Sequence, residues 1–141
     1  MTGNNITYSF DKNFTQNDVE DLFLSVGWVS GRYPKRLYRA LMNSSLVVTA
    51  KDGERLVGLV RCLSDDVMLA YVHYVLVDPE YQGKGIASKL LNMVKDRYKD
   101  LFYLEVMPED KKNASFYERH GFSVMTGGCA MQTVNTNIID A

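Results

Sequence analysis

Val75-Leu76-Val77-Asp78-Pro79-Glu80-Tyr81-Gln82-Gly83-Lys84-Gly85-Ile86-Ala87 carries a strand into a loop with two glycines and then directly into a helix. The stretch 68–77 is nearly apolar, and Pro79 keeps Asp78 out of the helical region, which closes the strand. Across 85–98 Ile86, Leu90, Leu91 and Val94 recur at helical spacing. The following 101–106 reads as a strand. A strand, crossover helix and strand in one sheet run parallel and right-handed. The loop between them is suited to an anion. Glycines let backbone approach a ligand closely, the first helical amides lack internal partners, and the helix dipole and Lys84 add positive potential. An ordinary strand–helix turn is the competing reading of the same residues.

On either side of this unit the pattern predicts hairpins and short helices. Positions 6–10 alternate apolar and polar as a strand does. Thr15 and Asp18 have capping-box spacing ahead of Val19, Leu22, Phe23 and Val26, and Gly27 ends that helix. Pro34 opens a second helix with Leu37, Tyr38 and Leu41 on its buried side. Strands 45–51 and 56–63 meet at the Asp52-Gly53 turn, and Ser64-Asp65-Asp66 leads into 68–77. A short helix is expected over 113–120, ended by Gly121. Two last strands are expected over 122–124 and 130–134, around Gly127-Gly128. The order β-α-α-β-β-β-α-β-α-β-β describes an α/β domain with a mixed sheet and a single parallel βαβ unit.

Composition narrows the function classes. The chain has 141 residues, a size that suits one domain over 1–141, with 16 Lys plus Arg against 17 Asp plus Glu. Near-neutral charge without a basic block argues against nucleic acid as a partner. Cys62 and Cys129 are too few for a disulfide framework, and no His, Cys and carboxylate group has metal-ligand spacing, so no metal is expected. The first nine residues lack the basic and apolar regions of a secretory leader, and 68–77 is far short of a membrane span. A cytoplasmic protein with no membrane partner is the expectation.

Two known phosphate loops are excluded by spelling. Lys84 is followed by Gly85 where a Walker A loop needs Ser or Thr, and Ser88 stands where the dinucleotide fingerprint needs a third glycine. Gln82-x-x-Gly85-x-Ala87 instead resembles the pyrophosphate signature of the GNAT (GCN5-related N-acetyltransferase) superfamily, Gln/Arg-x-x-Gly-x-Gly/Ala. Phe116-Tyr117-Glu118-Arg119-His120-Gly121-Phe122 is similar to a second segment of that family, at the distance the family shows. The element order matches as well, so the resemblance spans nearly the whole chain. Val26-Gly27-Trp28 and the loop spelling look most like bacterial and plastid amine acetyltransferases.

The resemblance implies a GNAT-like, mostly antiparallel mixed sheet of about seven strands flanked by four helices, with acetyl-coenzyme A wedged between strands 68–77 and 101–106. It implies that the backbone of Val75, Leu76 and Val77 pairs with the pantetheine arm, and that an N–H there polarises the thioester carbonyl. The amides of Gln82, Gly83, Lys84, Gly85, Ile86, Ala87 and Ser88 would hold the pyrophosphate. Tyr117 matches the family tyrosine that returns a proton to the coenzyme thiolate. For the base that deprotonates the amine, His73 is the first candidate and Glu105 the alternative. His73 lies two residues before Val75, on the same strand face by the period-2 rule, with Tyr71 two residues further back. Vertebrate arylalkylamine acetyltransferases, which look similar here, hold a histidine pair at those places. Where relatives carry a coenzyme-contacting Asn this chain has Asp110, so either Asp110 or the nearby Asn113 takes that contact; Asn113 is the better amide donor and acceptor. Trp28 and Tyr33 fall in the loop that covers the acceptor in the family, where they would form an aromatic wall; burial between the first two helices is the other reading of Trp28.

These implications lead to an acetyl-coenzyme A-dependent N-acetyltransferase that acts on a small primary amine by direct transfer in a ternary complex, and homodimers are common in the family. A protein or peptide N-terminus is the alternative acceptor. A module that binds acyl-coenzyme A without catalysis is the alternative class.

Overall fold

Thr15 starts the first helix. Its Oγ1 accepts the Asp18 N–H at 3.0 Å while Asp18 Oδ2 accepts the Thr15 N–H at 2.9 Å, so two donors without helical partners are satisfied reciprocally. In the computed structural model, which describes residues 5–137, this helix is α1 (Gln16–Ser25). Residues 1–4 and 138–141, part of the leader and 1–141 domain expectations, lie outside the described residues. Before α1 comes β1 (Ile6–Ser9); after it come α2 (Pro34–Met42), β2 (Leu46–Asp52), β3 (Arg55–Ser64), β4 (Leu69–Val77), α3 (Ile86–Arg97), β5 (Tyr103–Val106) and α4 (Ala114–Glu118). Short 3₁₀ turns at Val29–Arg32, Pro79–Tyr81 and Lys111–Asn113 join some of them. The first four strands pair antiparallel in chain order, and β5 is added parallel to β4 across α3, giving a mixed five-stranded sheet with four helices.

Side-chain alternation gives this sheet two apolar faces, and each is covered. Val48, Ala50, Val60, Cys62, Ala70 and Val72 pack under Ile86, Leu90 and Val94 of α3. On the opposite face Val47, Leu59 and Leu76 pack under Val19, Leu22 and Phe23 of α1 and Leu37 and Leu41 of α2. The approach of α3 to the sheet depends on Gly58, where a Cβ would stand 3.1 Å from Ile86 Cγ2 and 3.3 Å from both Ala50 Cβ and Leu90 Cδ1. Gly58→Val overpacks this contact and is expected to cost about 1–3 kcal/mol, read as a lower urea midpoint at unchanged slope. An unchanged midpoint would show that α3 has room to move away.

The expected sheet of about seven strands is corrected to five among the described residues. The stretches 122–124 and 130–134 are not strands, and Val124, Met125, Met131 and Val134 are exposed. An isolated two-stranded hairpin gains too little to order itself, and with no apolar face buried nothing selects a register. The last strand also begins at Tyr103 rather than Leu101, and α4 is shorter than 113–120. Among the described residues no helix is long and apolar enough to cross a membrane.

Candidate active site

The loop between β4 and α3 is held from beneath. Asp78 donates its N–H to the Val57 carbonyl at 2.8 Å, and its Oδ1 accepts the Glu80 N–H at 2.9 Å. Arg55 Nη2 reaches Asp78 Oδ2 at 3.1 Å and Glu80 Oε2 at 3.4 Å. Tyr81, 5% exposed, is pinned by its hydroxyl donating to Asp52 Oδ2 at 2.6 Å, with the Arg55 guanidinium over its ring. Gln82 turns its side chain back, donating from Nε2 to the Val77 carbonyl at 3.0 Å. Only backbone and Lys84 then remain at the turn. Gly83 (φ +79°) and Gly85 (φ +83°) are left-handed, and a Cβ on either would meet nothing within 4 Å. No side chain caps α3 at Gly85, so the N–H groups of Ile86, Ala87 and Ser88 lack a capping partner. Bare amides at a helix N-terminus, beside two glycines with open space over their Cβ positions, fit a diphosphate.

β4 pairs with β5 only over Leu69–Val72 and Tyr103–Val106, yet it continues to Val77. Val75, Leu76 and Val77 pair with Val60, Leu59 and Gly58 of β3, and the ladder to β5 has already ended beside them. The register with β3 slips in this stretch: Cys62 faces Val72, but Arg61 faces Tyr74. His73 is therefore the extra residue of a β-bulge. The bulge corrects the period-2 placement of His73 and Tyr71 on the face of Val75. Val75 packs with the α3 cluster, whereas Tyr74 and Leu76 pack with the α1 and α2 cluster. The His73 ring lies against Tyr74, centroids 4.1 Å apart, and near Tyr71 at 6.1 Å.

An aromatic stack results on the α1 and α2 side. Trp28 meets Phe23 edge-on and stands 5.8 Å from the Tyr74 ring, and the Ser30 and Tyr74 hydroxyls are hydrogen-bonded at 2.8 Å. Trp28 thus packs beside α1 and also reaches the strand that carries His73. Tyr33, half-buried at the start of α2, has no ring contact with this stack among the described residues. Glu105 stands opposite Tyr71 in the parallel register. Arg61, which the sequence reading passed over, is half-buried here, with its guanidinium 5.4 Å from the Tyr74 ring centre and Nη1 2.6 Å from His73 Nδ1. His73 is an exposed residue, but partial desolvation of its ring, which lies against Tyr74, and then the Arg61 charge hold it below the ordinary imidazole value. An arginine amid strand apolars was the available signal, since such a side chain needs polar partners.

Tyr117 lies on α4, 9% exposed, with its ring edge-on to Phe116 at 5.0 Å and Phe122 at 5.7 Å. Burial pushes its phenol up to about 12, so it keeps its proton at neutral pH. Asp110 uses Oδ1 to accept the Lys112 N–H at 3.1 Å at its own turn, while Asn113 is exposed. Burial likewise raises the Cys62 thiol to about 12, which leaves it inert as a nucleophile. Among the described residues no group of three or more His, Cys, Asp or Glu side chains could hold a metal ion.

Known proteins are similar to this chain in sequence and fold. A protein of Prochlorococcus marinus named uncharacterized N-acetyltransferase ycf52-like is 34% identical over 125 residues, covering 84% of this chain and 69% of the relative. N-alpha-acetyltransferase 30 of Schizosaccharomyces pombe is 32% identical over 104 residues, covering 67% of this chain and 69% of the relative. The solved GNAT family acetyltransferase of Streptococcus pneumoniae superposes with a TM-score of 0.79 at 29% identity, over 93% of this chain and 98% of that one. The profile of the acetyltransferase (GNAT) family itself matches residues 14–122, from the start of α1 past α4. The chain belongs to the GNAT family of N-acetyltransferases.

Proposed function

We propose that this chain, acting over 1–141 as one domain, transfers an acetyl group from acetyl-coenzyme A to the primary amine of a small molecule, directly within a ternary complex and without a metal. One observation carries the coenzyme assignment: the uncapped α3 terminus behind two left-handed glycines whose Cβ positions are open. The backbone of Gln82, Gly83, Lys84, Gly85, Ile86, Ala87 and Ser88 would hold the pyrophosphate. Val75, Leu76 and Val77 would pair with the pantetheine arm beyond the end of the β4–β5 ladder, and an N–H in this run would polarise the thioester carbonyl. Asn113 is the better amide contact for the arm, because the Asp110 carboxylate is already engaged at its own turn.

When bound, acetyl-coenzyme A supplies an activated acyl carbon. The neutral amine would form the new carbon–nitrogen bond as the carbon–sulfur bond breaks; Tyr117 would give its phenolic proton to the departing sulfur and regain one, through solvent, from the surplus proton on the acylated nitrogen. An alkyl ammonium has a pKa of about 10, so its proton must leave before attack, toward His73, Glu105 or water. Trp28 and Tyr71 would wall the acceptor, with Tyr33 at the mouth. A cytoplasmic location and a homodimer are proposed from the family alone.

A panel of aryl and alkyl amines, polyamines, aminoglycosides and peptides, followed by release of free coenzyme thiol, tests the acceptor class. Turnover is expected with small amines carrying an apolar or aromatic group. The likeness to N-alpha-acetyltransferase 30 favours a second reading, a peptide N-terminus, and turnover confined to the peptides would establish it. Binding of acetyl-coenzyme A without product from any acceptor would make the chain a binding module.

A further inference from the structure

We propose that Ser44 and Arg61 are positioning residues for His73: they hold its imidazole with the proton on Nε2, so that His73 donates a hydrogen bond at the acceptor side and does not take the amine's proton. The inference rests on the proposed acetyl transfer for its setting, but not for its geometry. A chain of hydrogen bonds with one possible direction fixes the tautomer. Ser44 Oγ donates to the Ala40 carbonyl in the last turn of α2 at 2.7 Å, which leaves its lone pairs to accept Arg61 Nε–H at 2.9 Å. Arg61 Nη1 then lies 2.6 Å from His73 Nδ1. A guanidinium has only donors, so His73 Nδ1 must accept, and the neutral ring carries its hydrogen on Nε2. The chain is anchored at its far end, because Lys12 Nζ donates to the carbonyls of Met42 at 2.8 Å and Ser44 at 2.7 Å. Ser44, the middle of the chain, is buried, whereas the Lys12–Met42 and Arg61–His73 contacts at its two ends are exposed.

Among the described residues no carboxylate is hydrogen-bonded to His73. From β3 it faces Arg61; along β4 it lies against Tyr71 and Tyr74; α1 and the 28–30 segment bring Phe23, Trp28 and Ser30 to Tyr74. Glu105 is the acidic group in register nearby, opposite Tyr71 on β5. A base needs a free lone pair, and the one on Nδ1 is taken by Arg61. The amine's proton is thus left to Glu105 or to water.

Imidazole nitrogen NMR on the full chain tests the lock without reference to activity. The wild type is expected to show a protonated Nε2 and a bare, hydrogen-bonded Nδ1 on His73; a protonated Nδ1 overturns the proposal. Ser44→Ala and Arg61→Met should each let the Nδ1–H form appear, and Arg61→Met should raise the His73 titration midpoint. Unchanged tautomers in both variants overturn the lock. In Arg61→Met the acidic limb of kcat should stay in place while the His73 midpoint moves; a limb that follows His73 makes it the base and overturns the donor role. If no acceptor in the amine panel is turned over, the proposed function fails while the NMR result still decides the tautomer.

Discussion

Tyr117→Phe is expected to lower kcat by about a hundredfold to ten-thousandfold while coenzyme affinity stays within a few-fold. A proton given to a departing sulfur is an interaction of the transition state, so its loss appears in kcat. The ring remains, and with it the edge-on contacts to Phe116 and Phe122. The buried phenol, pushed up to about 12, adds a pH signature. Activity should rise with pH as the amine loses its proton and should not fall through the ordinary phenol range near 10, because the acid still holds its proton there. Steady-state kinetics with a saturating acceptor, from pH 7 to 11, reads both effects. Near-normal kcat in the variant would assign Tyr117 to packing and leave water as the proton source.

Acetyl-coenzyme A is expected to stabilise the wild type thermally, by about 2.7 kcal/mol at a hundredfold excess over Kd, and Gly85→Val is expected to abolish that shift. Two effects combine at this position. At φ +83° a β-branched residue is strained, which costs the free protein about 1–3 kcal/mol. The Cβ itself enters space that is open, where it would obstruct a phosphate approaching the amides. Gly53→Val separates the two, since Gly53, in the β2–β3 turn, is also left-handed (φ +62°) with equally open surroundings. The control should lose stability by a comparable amount and keep the full ligand shift. A ligand shift that survives in Gly85→Val would place the phosphates elsewhere.

The parts of this molecule that could be read from the sequence are those where local chemistry and tertiary structure agree. The capping residues Thr15 and Asp18, Pro34, the Asp52-Gly53 turn and the Ile86–Leu90–Val94 face each follow from their own neighbourhood. So does the turn over α3, where glycine spelling and helix start coincide. The bulge at His73 has no such local signal. It arises from how β3 and β4 settle their register, and it moves Tyr74 to the face that simple alternation gives to Tyr71 and His73. The role of Arg61 was hidden for a related reason: its partners Ser44 and His73 come from other elements and meet only in the folded sheet. The strands expected at 122–124 and 130–134 were read from pattern alone, and pattern does not supply a pairing partner.

The assignment as an acetyl-coenzyme A-dependent transferase turns on where the coenzyme lies. A crystal structure of the complex with coenzyme A tests this most directly. The pyrophosphate is expected within hydrogen-bond distance of the amides between Gln82 and Ser88, the pantetheine arm along Val75–Val77 where β5 has left β4, and the thiol within reach of the Tyr117 hydroxyl. A coenzyme bound with its pyrophosphate away from the α3 terminus, or its sulfur remote from both β4 and Tyr117, would contradict the assignment.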